Sequence, residues 1–223
     1  MFGIVLHIVK EGVNDMVNSA LSQEETAILG KLISKASRRA ISGIGEMVGR
    51  DVEVTTLNMK QISICNATEL LKNPEAMLIG ITLEIQGDAT GNMLLIYSPE
   101  VAFGLVDLLV GNPLGQTIAL EEMGQSALGE MGNIAGGFFL NSLADDTGLR
   151  LLPSPPTVKV ERASTILANS FKPLAGSAET IFVLQTVFKA QSHQIAGNFL
   201  VTPTTDFLNA LVRKGSIVMS HRT

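Results

Sequence analysis

The stretch "SALGEMGNIAGGFF", residues 126–139, has helical character yet carries four glycines in fourteen positions. Gly124, just upstream, makes five between Leu120 and Thr147. A glycine inside a helix costs about 1 kcal/mol relative to alanine, so five cost about 5 kcal/mol. That is comparable with the lower end of a domain's net stability, about 5–15 kcal/mol. Such a helix must gain something from the close approach that glycine permits.

At about 100° per residue, Ser126, Glu130, Asn133 and Gly137 fall within about 60° of one another and share one helical stripe. Glu130 and Asn133, three apart, lie side by side. A carboxylate can anchor a cation, and a carboxamide can both donate to and accept from a water or phosphoryl oxygen. Gly137, one turn on, removes a side chain that would hold another molecule away. Gly129, Gly132 and Gly136 form a second stripe, expected to pack closely against a sheet or a sister helix. A solvent-facing helix also carries Glu and Asn without any function, so spacing alone does not make this pair a site.

The helix has a counterpart in the same chain. A shift of 99 positions (128 − 29) aligns Leu29 with Leu128, Gly30 with Gly129, Ala36 with Ala135 and Gly49 with Gly148. Further on, Gly91-Asn92 matches Gly197-Asn198. Each half reads as a long helix, a strand, a connecting segment, a β-hairpin and a shorter helix. Ser22 with Glu25 is a capping-box pattern for the first long helix, and Gly49 and Gly148 are expected C-cap glycines. Val52 to Ile64 and Val158 to Val160 are the candidate first strands. Residues 76–85 with 92–98, and 180–190 with 194–202, are the candidate hairpins. Ser98-Pro99 opens one shorter helix, and "TPTTDF" is expected to open the other in the same way.

Helices clustered with antiparallel strands imply an α+β fold. Two equivalent halves suggest one pseudo-twofold domain over 1–223, its strands pooled into a sheet of about six. Repeat 1 runs over about 20–111 and repeat 2 over about 117–213, and residues 111–117 are a turn rather than a tether. Residues 1–19 form an N-terminal arm whose apolar "MFGIVLHIV" is too short to span a bilayer and is expected to be an edge strand or a docked arm.

The halves agree in scaffold and differ in polar residues. Where the second has Ser126, Glu130, Asn133 and Pro156, the first has Ala27, Lys31, Ser34 and Leu57. With 46% hydrophobic and 17% charged residues, the chain can bury a substantial core. Nine Phe, one Tyr and no Trp mean that the core is mostly aliphatic. A net charge of −5 argues against nonspecific nucleic-acid binding, and a single cysteine, Cys65, excludes an internal disulfide. The chain has no P-loop and no HExxH motif, and His7, His193 and His221 are scattered. Asp145-Asp146, beside Gly148, are expected to end a helix in water. The expectation is a soluble, cytoplasmic protein with no membrane insertion.

The pattern Ser126-x3-Glu130-x2-Asn133, followed by Pro156 after twenty-two residues, resembles the signature of the CheC/CheX/FliY phosphatases of chemotaxis. With the duplicated architecture, it is most similar to the CheC type, over roughly residues 20 to 213. The resemblance implies paired long helices on a six-stranded sheet. It implies hydrolysis of the aspartyl-phosphate of a CheY-like response regulator in two-component signalling. Glu130 would pair with the regulator's active-site lysine, and Asn133 would position the attacking water. Ser126 would support the glutamate turn, and Pro156 would fix the strand beside the motif helix. Mg²⁺ would sit on the regulator, and the phosphatase would need no cofactor of its own.

Lys31 at the glutamate position would repel the regulator's lysine, so one active site, in the second half, is expected. The resemblance also admits a CheD-like deamidase as partner, though no stretch assigns that surface. Two other classes remain open. One is a noncatalytic adaptor of the flagellar-switch type, since FliM-like domains are similar in fold without the motif. The other is a purely structural dimerisation module, a homodimer in which the apolar N-terminal arm pairs across subunits, and it is compatible with the phosphatase reading.

Overall fold

The computed structural model describes residues 22–48, 52–190 and 193–220. The N-terminal arm, Gly49 and His221 lie outside them. In chain order the elements are α1 (Gln23–Val48), β1 (Val52–Ser63), β2 (Met77–Gly87), β3 (Gly91–Tyr97) and α2 (Pro99–Val110). They are followed by α3 (Glu122–Thr147), β4 (Leu151–Pro153), β5 (Thr157–Arg162), α4 (Ala163–Phe171), β6 (Thr180–Ala190), β7 (His193–Pro203) and α5 (Thr205–Ser220). The fold is α+β, and all the strand pairs are antiparallel.

The strands join in the order β1-β6-β7-β3-β2-β4, with β5 also on β2. Each half's first strand thus pairs with the other half's hairpin: β1 with β6, and β4 and β5 with β2. The two hairpins meet at the centre through β3 and β7. Seven strands fill six positions because β4 and β5 share one edge of β2. Between them lie Ser154, Pro155 and Pro156. Ser154 donates its N–H to Glu84 O at 2.9 Å, and its Oγ accepts from Glu84 N at 2.9 Å. The two prolines have no N–H to leave unpaired, and an edge strand tolerates them at such a break.

Both faces of the sheet are covered. Met93, Leu95 and Tyr97 of β3 join a core with α1, α2, α3 and α5, while Leu94 and Ile96 join a second core with α4. This is why all seven residues of β3 are buried. The segment joining β1 to β2 forms 3-10 turns over Ile64–Leu70, while its counterpart in the second half is the true helix α4. The α4 helix was not legible from periodicity, being only 9 residues long.

The caps are local and match their sequence signals. Ser22 donates its N–H to Glu25 Oε2 at 2.7 Å, and Glu25 N–H returns to Ser22 Oγ at 3.2 Å. These bonds hold the Glu25 carboxyl below its usual pKa. Ser98 Oγ accepts from Val101 N, and Gly148 ends α3 at φ 71°. Pro203 differs from expectation: it ends β7, and Thr204 takes the capping role by accepting from Phe207 N at 3.3 Å.

The long helices run antiparallel, with Lys35 meeting Asp146 and Gly43 lying against Phe138. Asp146 does not sit in water as expected. It is 8% exposed, and both its carboxylate oxygens accept from Lys35 Nζ, at 2.6 and 2.7 Å. Only the tertiary pairing of α1 with α3 supplies that cation.

The turn between the halves is tied down by Asp107, which is fully buried at the end of α2. Its carboxylate accepts from Gly115 N, Gln116 N and Thr117 N at 2.7, 3.1 and 2.9 Å, and from Thr117 Oγ1. Burial opposes the charge of Asp107, but the Thr117 hydroxyl and the three N–H groups outweigh it, so its pKa is held below the usual value. A depressed folded-state pKa stabilises the protein above the unfolded value, about 3.9, and that stabilisation fades as pH falls through it. Asp107→Asn should therefore lower stability at pH 7 by about 2 kcal/mol. In urea titrations the deficit should shrink as pH drops below about 4.

Candidate functional site

The two glycine stripes of α3 face opposite environments. On the inner side, Leu128, Met131, Ala135 and Phe139 are at most 1% exposed, and Phe139 packs edge-on against Phe199 at 5.0 Å. The inner glycines let the helix backbone lie on β2. A methyl group at Gly132 would come within 2.6 Å of Ile81 Cγ2, and one at Gly136 within 3.1 Å of Leu83 Cδ2. Their packing is thus against the sheet. At Gly129 a Cβ would stand 3.7 Å from Pro156 Cγ and from Val158 Cγ2, an ordinary contact. Pro156, in the break between β4 and β5, therefore lies against the turn of helix that carries Glu130.

On the outer side Ser126, Glu130 and Asn133 are exposed, on the one stripe that their spacing requires. Among the described residues none of their side chains has a hydrogen-bond partner. Whatever support Ser126 gives the glutamate turn is not a hydrogen bond to Glu130. At Gly137 a Cβ would meet nothing within 4 Å. Nothing in the described chain requires a glycine there, in contrast to Gly132.

Met123 was not singled out by sequence reasoning. It stands within about 80° of the same stripe and is 72% exposed. Its signal was available, because it lies seven residues before Glu130, two helical turns on the same side.

Lys31 is exposed and Ser34 half-buried on α1. The antiparallel pairing puts neighbouring Lys35 level with Asp146, thirteen residues beyond Asn133 and so about 20 Å along the α3 axis. The first-half counterparts thus stand apart from the second-half stripe. Leu57 lies within β1.

The cavities lie elsewhere. One of about 570 Å³ is lined by Glu84, Asn92, Ser177, Thr204 and Asp206. Another of about 310 Å³ lies between β2, β5 and α4. Neither is lined by Ser126, Glu130 or Asn133. An exposed helical stripe cannot enclose a small molecule, but it can enter a recess on another macromolecule. No helix among the described residues is long and apolar enough to cross a membrane.

Residues 123–160 match the model of the CheC-like family. That segment runs from Met123 through Pro156 into β5. The chain is 28% identical over 182 residues to the CheY-P phosphatase CheC of Bacillus subtilis, covering 79% of this chain and 85% of that protein. Among solved structures, FliY of Thermotoga maritima superposes with a TM-score of 0.70 at 19% identity, covering 90% of this chain and 100% of that one. FliM from the FliG–FliM complex of H. pylori gives 0.59 at 16% identity, over 87% and 100%. The CheX–CheY–BeF3–Mg complex of Borrelia burgdorferi gives 0.52 at 16% identity, over 78% and 96%. At these identities the structural likenesses establish the fold.

The inner and outer glycines should separate in a stability assay. Gly132→Ala pushes on Ile81, a fully buried, stiff β-branched side chain. It should destabilise by about 1–2 kcal/mol even after the gain in helix propensity. Gly137→Ala meets nothing and should stabilise by about 0.5–1 kcal/mol. Thermal denaturation of the two variants beside wild type checks both signs. The motif helix and the strand beside it thus match the CheC-like family model, and most of the chain's length is similar to a CheC.

Proposed function

We propose that this protein hydrolyses the aspartyl-phosphate of a CheY-like response regulator. The observation that carries the reading is the outer stripe of α3. It presents a carboxylate and a carboxamide, both exposed and unpartnered among the described residues, beside an open glycine. The similarity to a CheY-P phosphatase supplies the substrate class.

In this mechanism the regulator docks on α3 with its Mg²⁺ bound in its own acidic pocket. Glu130 pairs with the regulator's lysine and sets the orientation. Asn133 enters the phosphorylated site, where its carboxamide holds a water in line with the bond to be broken. The water oxygen bonds to phosphorus and the bond from phosphorus to the aspartyl oxygen breaks. The aspartate is released as carboxylate and the phosphoryl group as inorganic phosphate. Such a transfer needs mainly positioning and charge stabilisation, which two side chains carried on a fixed helix and the regulator's own metal would provide. Gly137 leaves clearance for the partner's surface, and Pro156 braces the turn that bears Glu130.

A flagellar-switch-type adaptor is the second reading, favoured by the likeness in fold to FliM. Phosphate release from a phosphorylated, Mg²⁺-bound CheY-like regulator separates the two. Wild type should accelerate it, Asn133→Ala should lose about a hundredfold of the acceleration, and Lys31→Ala should stay within about twofold of wild type. Binding by wild type without acceleration would establish the adaptor and remove the phosphatase.

A further inference from the structure

The motif stripe does not end at its polar residues. Met123, in the first turn of α3, is 72% exposed. Ile118, in the loop before it, is 85% exposed. Neither is left in water by slack chain. The residue before Ile118 is Thr117, whose N–H and hydroxyl are both held by the buried Asp107 carboxylate. Met123 sits on a helix whose next residue, Gly124, packs against Leu120 and Val106. Two apolar side chains are thus presented outward from a fixed backbone. Rigid presentation of this kind lowers the ordering cost of association.

The dimensions connect them to the stripe. Met123 precedes Glu130 by seven residues and Asn133 by ten, so it lies about 10 to 15 Å from them along the axis. A stable protein–protein interface covers about 800 Å² on each partner, a disc of about 16 Å radius. An interface of that size centred on Asn133 reaches Met123. Ile118, five residues earlier, lies within about 17 Å of Met123 by chain length.

We propose that Met123, extended by Ile118, is the apolar anchor through which the phosphorylated response regulator docks. The regulator would present an apolar depression beside its phosphorylated carboxylate and lysine. The anchor rests on the reading of α3 as the regulator-binding helix. It divides the work along one stripe: Met123 supplies affinity, Glu130 and Asn133 orientation and chemistry.

Met123→Asp tests it, because an acidic residue in the first turn of a helix suits the helix dipole and should leave the melting temperature unchanged. Truncation of an interface anchor typically costs tenfold or more in affinity. The expected result is a KM for phosphorylated regulator raised about tenfold with kcat within about twofold of wild type. The Kd for the regulator loaded with Mg²⁺ and beryllofluoride should rise by the same factor, and Ile118→Asp should weaken binding by about threefold. KM and Kd unchanged in Met123→Asp would overturn the anchor. If wild type binds the regulator without accelerating hydrolysis, the proposed catalysis falls while the Kd comparison still decides the anchor. If wild type does not bind the regulator at all, both fall.

Discussion

The approach of α3 to β2 is the constraint on which the rest of the structure depends. A methyl group at Gly132 would stand 2.6 Å from Ile81, closer than carbon atoms pack. The helix backbone therefore rests directly on the Ile81 side chain of the sheet, with no side chain of its own between them at that point. This contact fixes the helix in depth and in rotation, because turning it would drive Leu128, Met131 and Phe139 out of the core. With the inner face locked, the outer stripe is locked too, and Ser126, Glu130, Asn133 and Gly137 point where the inner glycines direct them. Functional side chains on a rigid element are placed more precisely than on a loop.

Two further features brace the same helix. The broken edge strand lets Pro156 lie against Gly129, one residue from Glu130. The break leaves no donor unpaired, since Ser154 satisfies both groups of Glu84 that face it. At the other end, Asp146 is held by Lys35 of α1. The motif helix is thus supported by the sheet below, the edge strand beside it and its sister helix. The sister helix has taken a different surface: Lys31 and Ser34 stand where the second half has Glu130 and Asn133. A lysine at that place reverses the local charge, so α1 does not repeat the polar stripe of α3.

Fold alone does not choose between the proposed enzyme and an adaptor; the FliY structure and the FliG–FliM complex both superpose on this chain, which shows the fold and no more. What distinguishes them here must be carried by the site. A convex stripe that lines neither of the two cavities suits entry into a recess on a folded partner. The same stripe suits recognition by a single folded partner, since its apolar end at Met123 and its polar centre lie within one interface's width.

Much of this was legible in the sequence because it is local. Helical period, the Ser22–Glu25 capping box, the Ser98 cap and the Gly148 C-cap depend on residues within a turn of one another, and each is found as read. The grouping of Ser126, Glu130, Asn133 and Gly137 follows from helical geometry alone, and so did the division of the glycines into two stripes. Only the tertiary structure decided what each stripe meets. It set the sheet against Gly132 and Gly136 and left Gly137 open. It paired each half's first strand with the other half's hairpin, broke the edge strand into β4 and β5, and buried Asp146 against a lysine 111 residues away. Those outcomes rest on contacts between segments distant in the chain. A short apolar or charged segment carries no record of its partner, and packing supplies it.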